Sequence, residues 1–244
     1  MNVTNTHGRY RHLRCAAAAV TVVATLTGCG AQDSKDRSNG SSATVISSDD
    51  DGFNGRLVDP PLRVAPVTLR DTDGNPVRLD ELPDDKATAV FFGFTSCDDI
   101  CPTTMADLAS ARRSLDSGTA DRVAVYFVTV DPERDTPRVL RKWLTRFDPA
   151  FVGLRGPAHL VNRVERSVYA AESSRAQGDA GSARHHISNH PAPPEGASTE
   201  QGDYGVNHSG SVYVFGPDGA TLLYTGGTTV AEYAADFTEL LEED

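Results

Sequence analysis

The sequence predicts an α/β domain with a substantially parallel sheet, because strand and helix patterns alternate along the middle of the chain. Two continuous apolar runs of strand length, ATAVFFGF at 87–94 and RVAVYFVTV at 122–130, are typical of strands buried on both faces. Residues with helical spacing or helix-capping signals follow each run. Alternation of this kind favours parallel strands joined by helical crossovers.

The first helix is predicted directly after the run at 87–94. Pro102 is compatible only with the first turn of a helix, because proline lacks the amide hydrogen that later turns require. The helix therefore cannot begin much before Asp99. Apolar residues at helical spacing define its buried face: Met105, Leu108, Ala111 and Leu115.

The remaining elements follow from turn and capping residues. One hairpin is predicted before the first buried strand, turning at Asp73-Gly74, and another near the C-terminus, turning at Pro217-Asp218-Gly219. Thr136-Pro137 has the form of an N-cap and a first helical residue. Residues 172–205 are small, polar and proline-bearing, and are predicted to form a mobile surface loop. Further elements are predicted at FVGLRG (a strand), PAHLVNRVERSVYAA (a helix) and TVAEYAADFTELLEE (a closing amphipathic helix).

The first 57 residues are predicted to lie outside this domain. Residues 1–28 combine three arginines with the apolar stretch CAAAAVTVVATLTG, which has the size of an export signal and is too short for an ordinary membrane span. LTGC at 26–29 resembles the lipobox of bacterial lipoproteins, in which the cysteine is lipidated and begins the mature chain. We therefore predict a lipoprotein signal peptide at 1–28, a lipidated Cys29 starting a flexible polar tether at 29–57, and a domain at 58–244. The domain would be anchored to the extracytoplasmic face of the cell membrane.

The net charge limits the binding partners that the chain can have, and the cysteine content limits the chemistry of its sulfurs. The 244-residue chain has a formal net charge of −11, and loss of the three arginines with the signal peptide takes it to −14. This acidic balance argues against binding to nucleic acid or polybasic attachment to a membrane. With Cys15 removed and Cys29 lipidated, the free sulfurs are those of Cys97 and Cys101. They lie in a compartment where thiols oxidise unless they are kept reduced or bind a metal.

The pair Cys97 and Cys101 is the candidate site. Cys97 follows a buried strand and Cys101 falls in the first turn of the next helix, where α/β proteins bind ligands and a helix N-terminus stabilises a thiolate. Four-residue helical spacing separates Cβ atoms by about 5–6 Å, so a redox pair, a structural disulfide and a shared metal ion all remain open. A disulfide closing so small a loop should add little stability. Asp98 and Asp99 are interpreted as charges that complement the helix N-terminus.

Three motifs, occurring in the same order, resemble the Sco/SenC family. They are FFGFTSCDDICPTTM at 91–105, VDPERDTP at 130–137 and YGVNHSGSVYVFGPDG at 204–219. Members of this family have a thioredoxin-like fold, bind copper and assist assembly of the dinuclear copper centre of cytochrome c oxidase. The resemblance, which runs from about Val64 to the C-terminus, implies a thioredoxin-like domain with a central mixed sheet flanked by helices. It also implies that copper is bound by Cys97, Cys101 and His208 together.

The donor set implied by the resemblance suits copper chemically. Thiolates favour Cu(I) and imidazole binds both Cu(I) and Cu(II), so the set can hold either oxidation state. The sequence departs from the usual family pattern at Asp98, where proline follows the first cysteine, and at Asn207, where aspartate precedes the histidine. An aspartate at 207 could orient the imidazole. Asn207 can still form a hydrogen bond, so this departure concerns affinity or redox preference more than binding.

The resulting hypothesis is a membrane-tethered copper metallochaperone that passes copper to the copper-bearing subunit of cytochrome c oxidase or to another copper protein. An alternative is a thiol:disulfide oxidoreductase that reduces the cysteines of that subunit, using Cys97 and Cys101 without His208. A copper- or redox-sensing module would share the metal site and differ only in its partners. A peroxidase is disfavoured, because no arginine lies beside Cys97 in the sequence.

Other polar residues have simpler interpretations. Asp131, Glu133 and Asp135 in VDPERDTP are interpreted as turn and capping residues. Met105 is a soft donor one turn beyond Cys101, but core packing is favoured for it. The histidines of HHISNHP, which are His185, His186 and His190, could bind a metal weakly, although solvated loop residues are the simpler interpretation.

Overall fold

The protein is described from a computed structural model, which covers residues 44–46, 52–175 and 206–242. The predicted signal peptide, Cys29, much of the predicted tether and the three histidines of HHISNHP lie outside the described residues. Within the part that the structure describes, no helix has the length and apolar character needed to cross a membrane.

The secondary structure of the described residues consists of short strands and five helical segments. The strands are β1 Thr44–Ile46, β2 Arg56–Asp59, β3 Thr68–Asp71, β4 Pro76–Arg78, β5 Ala87–Gly93, β6 Val123–Thr129, β7 Val152–Arg155, β8 Ser174–Arg175, β9 Val206–Asn207, β10 Val212–Phe215 and β11 Thr221–Tyr224. The helices are α1 Ile100–Ser114, α2 Ser117–Asp121, α3 Pro137–Leu144, α4 Ala158–Ser167 and α5 Val230–Glu242.

The main sheet is mixed, with the order β1-β2-β11-β10-β5-β6-β7-β3-β4. Its centre is parallel, since β5 pairs with β6 and β6 with β7 in that sense. The strands outside this centre pair antiparallel, β10 against β5 and the β3–β4 hairpin against β7. The α/β class and both predicted hairpins are therefore confirmed, whereas the parallel part is confined to three strands. β8 and β9 form a separate two-stranded ladder.

Alternation along β5 divides the apolar interior between the two faces of the sheet. Successive side chains of a strand point to opposite faces, and every residue of β5 is buried. Phe91 joins a cluster with residues of α1, α3 and α5, whereas Phe92 joins a cluster with residues of α4. β5 is thus a central strand covered on both sides, and its carboxyl end lies at the boundary between these clusters.

Three stretches differ from the sequence-based prediction. In the predicted tether, Thr44–Ile46 pairs with β2, and β2 itself begins at Arg56 and pairs with β11. Ser174–Arg175 lies in the predicted loop but pairs with Val206–Asn207. The short helix α2 was not predicted; the carboxylate of Asp116 accepts hydrogen bonds from the first free amides of this helix. A strand that forms by pairing with a distant segment cannot be predicted from local composition, which explains the first two differences.

Asp236 of α5 connects two residues near the end of the predicted tether, Asn54 and Gly55, to the last helix of the domain. Its carboxylate is buried and accepts hydrogen bonds from the backbone N–H of Asn54 at 2.9 Å and of Gly55 at 2.8 Å. It also accepts a hydrogen bond from the hydroxyl of Tyr224 at 2.7 Å. The chain therefore enters the domain at a buried polar junction.

Replacing Asp236 by alanine is expected to lower the free energy of unfolding by about 3 kcal/mol, because buried donors would lose their acceptor. Urea unfolding of the purified protein measures this change. Glu239→Ala, an exposed position on the same helix, is the matched control and should stay within about 0.5 kcal/mol of the unmodified protein. Equal stability of the two variants would contradict a structural role for Asp236.

Candidate metal centre

The cysteine-bearing segment connects the end of β5 to the start of α1. Its backbone turns back on itself, with the N–H of Cys97 donating to the carbonyl of Phe94 at 3.2 Å. α1 begins at Ile100, so Pro102 falls in its first turn as predicted. Asp99 immediately precedes α1, and its side chain makes no capping hydrogen bond. The structure thus shows no capping contact for Asp99, and its interpretation as a charge at the helix N-terminus stays a prediction.

Cys97, Cys101 and His208 come together although 107 positions separate Cys101 from His208 in the sequence. Their donor atoms all lie within 4.8 Å of one another, and the Sγ of Cys101 lies 3.6 Å from the Nε2 of His208. Both thiols are free. Metal bonds to sulfur and nitrogen are about 2.0–2.3 Å long, so one ion between these three atoms could contact all of them. The residues singled out from the sequence thus form a set that could hold a metal ion.

Cys101 is the innermost of the three donors. Its side chain is fully buried and belongs to the apolar cluster under α1, whereas Cys97 is partly exposed. The sulfur can approach β5 because Gly93 has no side chain; a Cβ there would lie 2.8 Å from the Sγ of Cys101. Burial raises the pKa of the Cys101 thiol, and the neighbouring Cys97 raises it further. Without a metal, Cys101 is therefore a protonated thiol at neutral pH.

His208 is oriented by its own backbone and by aromatic neighbours. Its Nδ1 lies 2.9 Å from the carbonyl oxygen of Ser209. A carbonyl can only accept, so Nδ1 carries the proton and Nε2 presents its lone pair towards Cys101. The ring also makes edge contacts with Phe94 and Phe91, at centroid distances of 5.3 and 6.1 Å. This tautomer is the one in which Nε2 can bind a metal.

Asp135 ties the cysteine segment to the segment that follows β6. Its buried carboxylate accepts from the N–H of Thr95 at 3.0 Å and from the hydroxyls of Thr95 and Thr129, both at 2.5 Å. Burial raises the pKa of Asp135, and these hydrogen bonds oppose that rise. The prediction of a turn role holds for its backbone, which donates to the carbonyl of Asp131. The contact with Thr95 was missed.

The other two acidic residues of VDPERDTP, Asp131 and Glu133, make ion pairs. Asp131 is buried and pairs with Arg134, whose guanidinium lies 6.0 Å from the centroid of the Phe94 ring. Glu133 pairs with Arg175 of β8.

Met105 is fully buried within the apolar cluster under α1, as its assignment to the core predicted.

The unequal exposure of the two sulfurs predicts unequal reactivity. In the metal-free protein, iodoacetamide is expected to alkylate Cys97 well before Cys101, because Cys101 is buried and its thiol pKa is raised. Peptide mass spectrometry of briefly treated protein measures the order of modification. Protein unfolded in urea is the control, in which both sites should react at similar rates. Equal labelling of the native protein would contradict the described burial.

The fold and the donor set together define a thioredoxin-like protein with a two-thiol, one-imidazole centre able to hold a metal ion. The SCO1/SenC family profile matches residues 59–242. The chain belongs to that family, which confirms the resemblance drawn from the three motifs.

Individual relatives agree with this assignment. The chain is 31% identical over 138 residues to the human mitochondrial SCO1 homolog, a match covering 56% of this chain and 39% of that protein. Bradyrhizobium japonicum ScoI, solved with copper bound, is 29% identical with a TM-score of 0.57, covering 73% of this chain and 99% of that one. BsSco, described as a member of the Sco family of cytochrome c oxidase assembly proteins, has a TM-score of 0.50 over 76% of this chain and 96% of its own. Its 23% identity supports a likeness of fold alone.

The curated relatives are longer than the region they share with this chain. The matched segments cover 53%, 48% and 39% of three of these relatives. The chain therefore spans about half the length of the curated relatives it matches, or less.

Proposed function

We propose that this protein is a copper metallochaperone that holds one copper ion through Cys97, Cys101 and His208 and delivers it to cytochrome c oxidase during assembly of its dinuclear copper centre. The observation that carries the proposal is the meeting of the three donor atoms within 4.8 Å. Lipidation of Cys29 would anchor the domain to the extracytoplasmic face of the membrane. This anchor rests on the sequence motif alone.

The chemistry of the donors supports copper as the cargo. Two thiolates and one imidazole are soft and borderline ligands, which suit Cu(I) and Cu(II) better than they suit hard cations such as Mg²⁺ or Ca²⁺. Three protein donors leave coordination positions for an incoming ligand. The copper-bound structure of Bradyrhizobium japonicum ScoI supports the same cargo for a relative. A site of this kind can bind copper firmly and still release it by ligand exchange.

The residues of the chain have distinct tasks in binding and release. Cys101 gives up its thiol proton when it becomes a ligand, because the thiolate is the form that binds metal. His208 keeps its proton on Nδ1 against the carbonyl of Ser209, so Nε2 remains free to bind. Cys97, which is partly exposed, is accessible to the donor groups of a receiving protein. Transfer would replace these ligands one at a time with those of the oxidase subunit.

Copper retention by single-ligand variants tests the three-ligand site. The purified full chain is loaded separately with Cu(I) and Cu(II), desalted, and analysed for metal and for absorption, alongside His208→Ala. We expect about one copper per chain in the unmodified protein and a clear loss in His208→Ala, with a changed Cu(II) spectrum. Undiminished copper and an unchanged spectrum in His208→Ala would refute the proposal.

A thiol:disulfide oxidoreductase is the second candidate, favoured by the arrangement of the two thiols. One sulfur is partly exposed and the other is buried directly behind it, as a nucleophile and a resolving cysteine would be. Reduction of insulin, or of a peptide from the oxidase subunit, by the copper-free protein measures this activity. Turnover that is robust and unaffected by His208→Ala would favour the oxidoreductase over the metallochaperone.

A further inference from the structure

The residues directly before His208 belong to a small ladder outside the main sheet. β9 pairs antiparallel with β8, in the register Ser174 with Asn207 and Arg175 with Val206. Pairing of this kind fixes the backbone of a strand relative to its neighbour. The direction in which the chain enters His208 therefore depends on where β8 lies.

β8 is held in place by a buried carboxylate on α4. Glu165 is fully buried, and its Oε2 accepts hydrogen bonds from both the backbone N–H and the hydroxyl of Ser173, each at 3.0 Å. Ser173 immediately precedes β8. Asn162, also on α4, donates to the carbonyl oxygen of Ser173 at 3.3 Å. The start of the ladder is thus attached to a helix that packs in the apolar core.

The buried glutamate at this position has energetic costs as well as hydrogen bonds. Burial raises the pKa of Glu165, which means that ionising it inside the protein costs free energy. Its Oε1 has no hydrogen-bond partner among the described residues. An apolar side chain of similar volume would avoid both costs, but it would leave the buried N–H and hydroxyl of Ser173 without their acceptor. What Glu165 adds is a pair of directional hydrogen bonds to the residue that starts the ladder.

A second connection joins the ladder to the cysteine segment. Arg175 of β8 pairs with Glu133, which lies two residues before Asp135, and Asp135 binds the N–H of Thr95. The side chains of Arg175 and Glu133 are 52% and 61% exposed, so this ion pair contributes little free energy by itself. Through Glu133 and Asp135, this ion pair nevertheless connects β8, the partner strand of β9, to the segment that bears the cysteines.

We propose that Glu165 is a positioning residue for the metal centre: through Ser173 and the β8–β9 ladder it sets the position of His208 relative to the two sulfurs. The proposal rests on the function proposed above, since it concerns the third ligand of the copper ion. Partners that orient a metal ligand typically change metal affinity by about 10- to 100-fold when they are removed. Glu165 is expected to act within this range, at the lower end because it acts through the backbone.

Variants of Glu165 separate positioning from packing. The full chain is loaded with Cu(II), and its affinity and electron paramagnetic resonance spectrum are compared among Glu165→Ala, Glu165→Gln and Val164→Ala. Glu165→Ala should weaken Cu(II) binding about tenfold and alter the nitrogen hyperfine pattern from His208, while the sulfur-to-copper absorption persists. Glu165→Gln should stay close to the unmodified protein, because its amide oxygen still accepts from Ser173. Val164→Ala, at a buried neighbour on the same helix, should lose stability without changing the copper spectrum.

The outcomes distinguish this inference from the function on which it rests. If Glu165→Ala has the same Cu(II) affinity and spectrum as the unmodified protein while His208→Ala differs clearly, the positioning role is overturned. The three-ligand site would not be affected by that result. An unchanged spectrum in His208→Ala would overturn the three-ligand site itself. If Glu165→Ala does not fold, Ser173→Ala carries the test, because it removes one of the two hydrogen bonds. Ser173→Ala should give the same spectral change at smaller amplitude. A spectrum identical to that of the unmodified protein would overturn the inference.

Discussion

Replacing Cys101 by serine is expected to remove stable copper binding while leaving the fold intact. Serine has nearly the shape of cysteine, but its hydroxyl is a poor ligand for Cu(I). Cys101 is the fully buried donor, with its sulfur 3.6 Å from the Nε2 of His208. Loss of a direct ligand should cost more than the roughly 10- to 100-fold in affinity that loss of an outer partner costs.

Competition with a Cu(I) chelator measures this loss, and circular dichroism checks the fold. Met105→Leu is the matched control, because Met105 is an equally buried sulfur one turn further along α1. It should keep the affinity of the unmodified protein, as expected for a residue that only packs in the core. A Cys101→Ser variant that competes as well as the unmodified protein would exclude Cys101 as a ligand.

Replacing Gly93 by alanine is expected to destabilise the protein and to displace the innermost sulfur. The new Cβ would lie 2.8 Å from the Sγ of Cys101 and also 2.8 Å from the ring of Phe91, both inside the core. Both neighbours are fully buried, so we expect the strand to shift or the side chains to leave their preferred rotamers. Overpacking of this kind costs about 1–3 kcal/mol.

Gly210→Ala gives a control with the same initial contact distance. A Cβ at Gly210 would lie 2.8 Å from the Cδ1 of Ile100. The Ile100 side chain is 37% exposed, so its end can turn away at little cost. Urea unfolding and copper titration of both variants should show losses only for Gly93→Ala. Equal stability of the two alanine variants would contradict the close approach of Cys101 to β5.

Much of the fold could be predicted because its elements have strong local signals. The buried strands at 87–94 and 122–130 are apolar on both faces, and the helix after Thr136 has both its cap and its proline. The glycines of the two hairpin turns, Gly74 and Gly219, have the positive φ that such turns require. Local chemistry was sufficient in these places because each element is specified by residues close together in the sequence.

The parts that could not be predicted depend on contacts between distant residues. Thr44–Ile46 and Ser174–Arg175 are strands only because partners elsewhere in the chain pair with them. The position of the two cysteines after a buried strand could be predicted from the sequence alone. His208 was assigned to the same site through the family resemblance, because no sequence spacing connects it to the cysteines.

The contact between Asp135 and Thr95 had a usable signal in the topology. β5 and β6 are parallel neighbours, so the residues that follow them emerge at the same edge of the sheet. Thr95 follows β5 and Asp135 follows β6. A prediction that paired the two carboxyl ends would have placed VDPERDTP beside the cysteines, although it could not have identified which carboxylate makes the contact.

The difference in burial between Cys97 and Cys101 gives the centre a direction. Cys101 is enclosed by the core on its own side, whereas Cys97 and His208 are partly exposed. A thiol from another protein can approach only from the exposed side, so Cys97 or His208 would be displaced first and Cys101 last. The ion would then pass through a state held by the buried sulfur and the recipient together. In the delivery proposed above, such a shared state would keep copper bound to protein throughout the exchange and prevent its escape into solution.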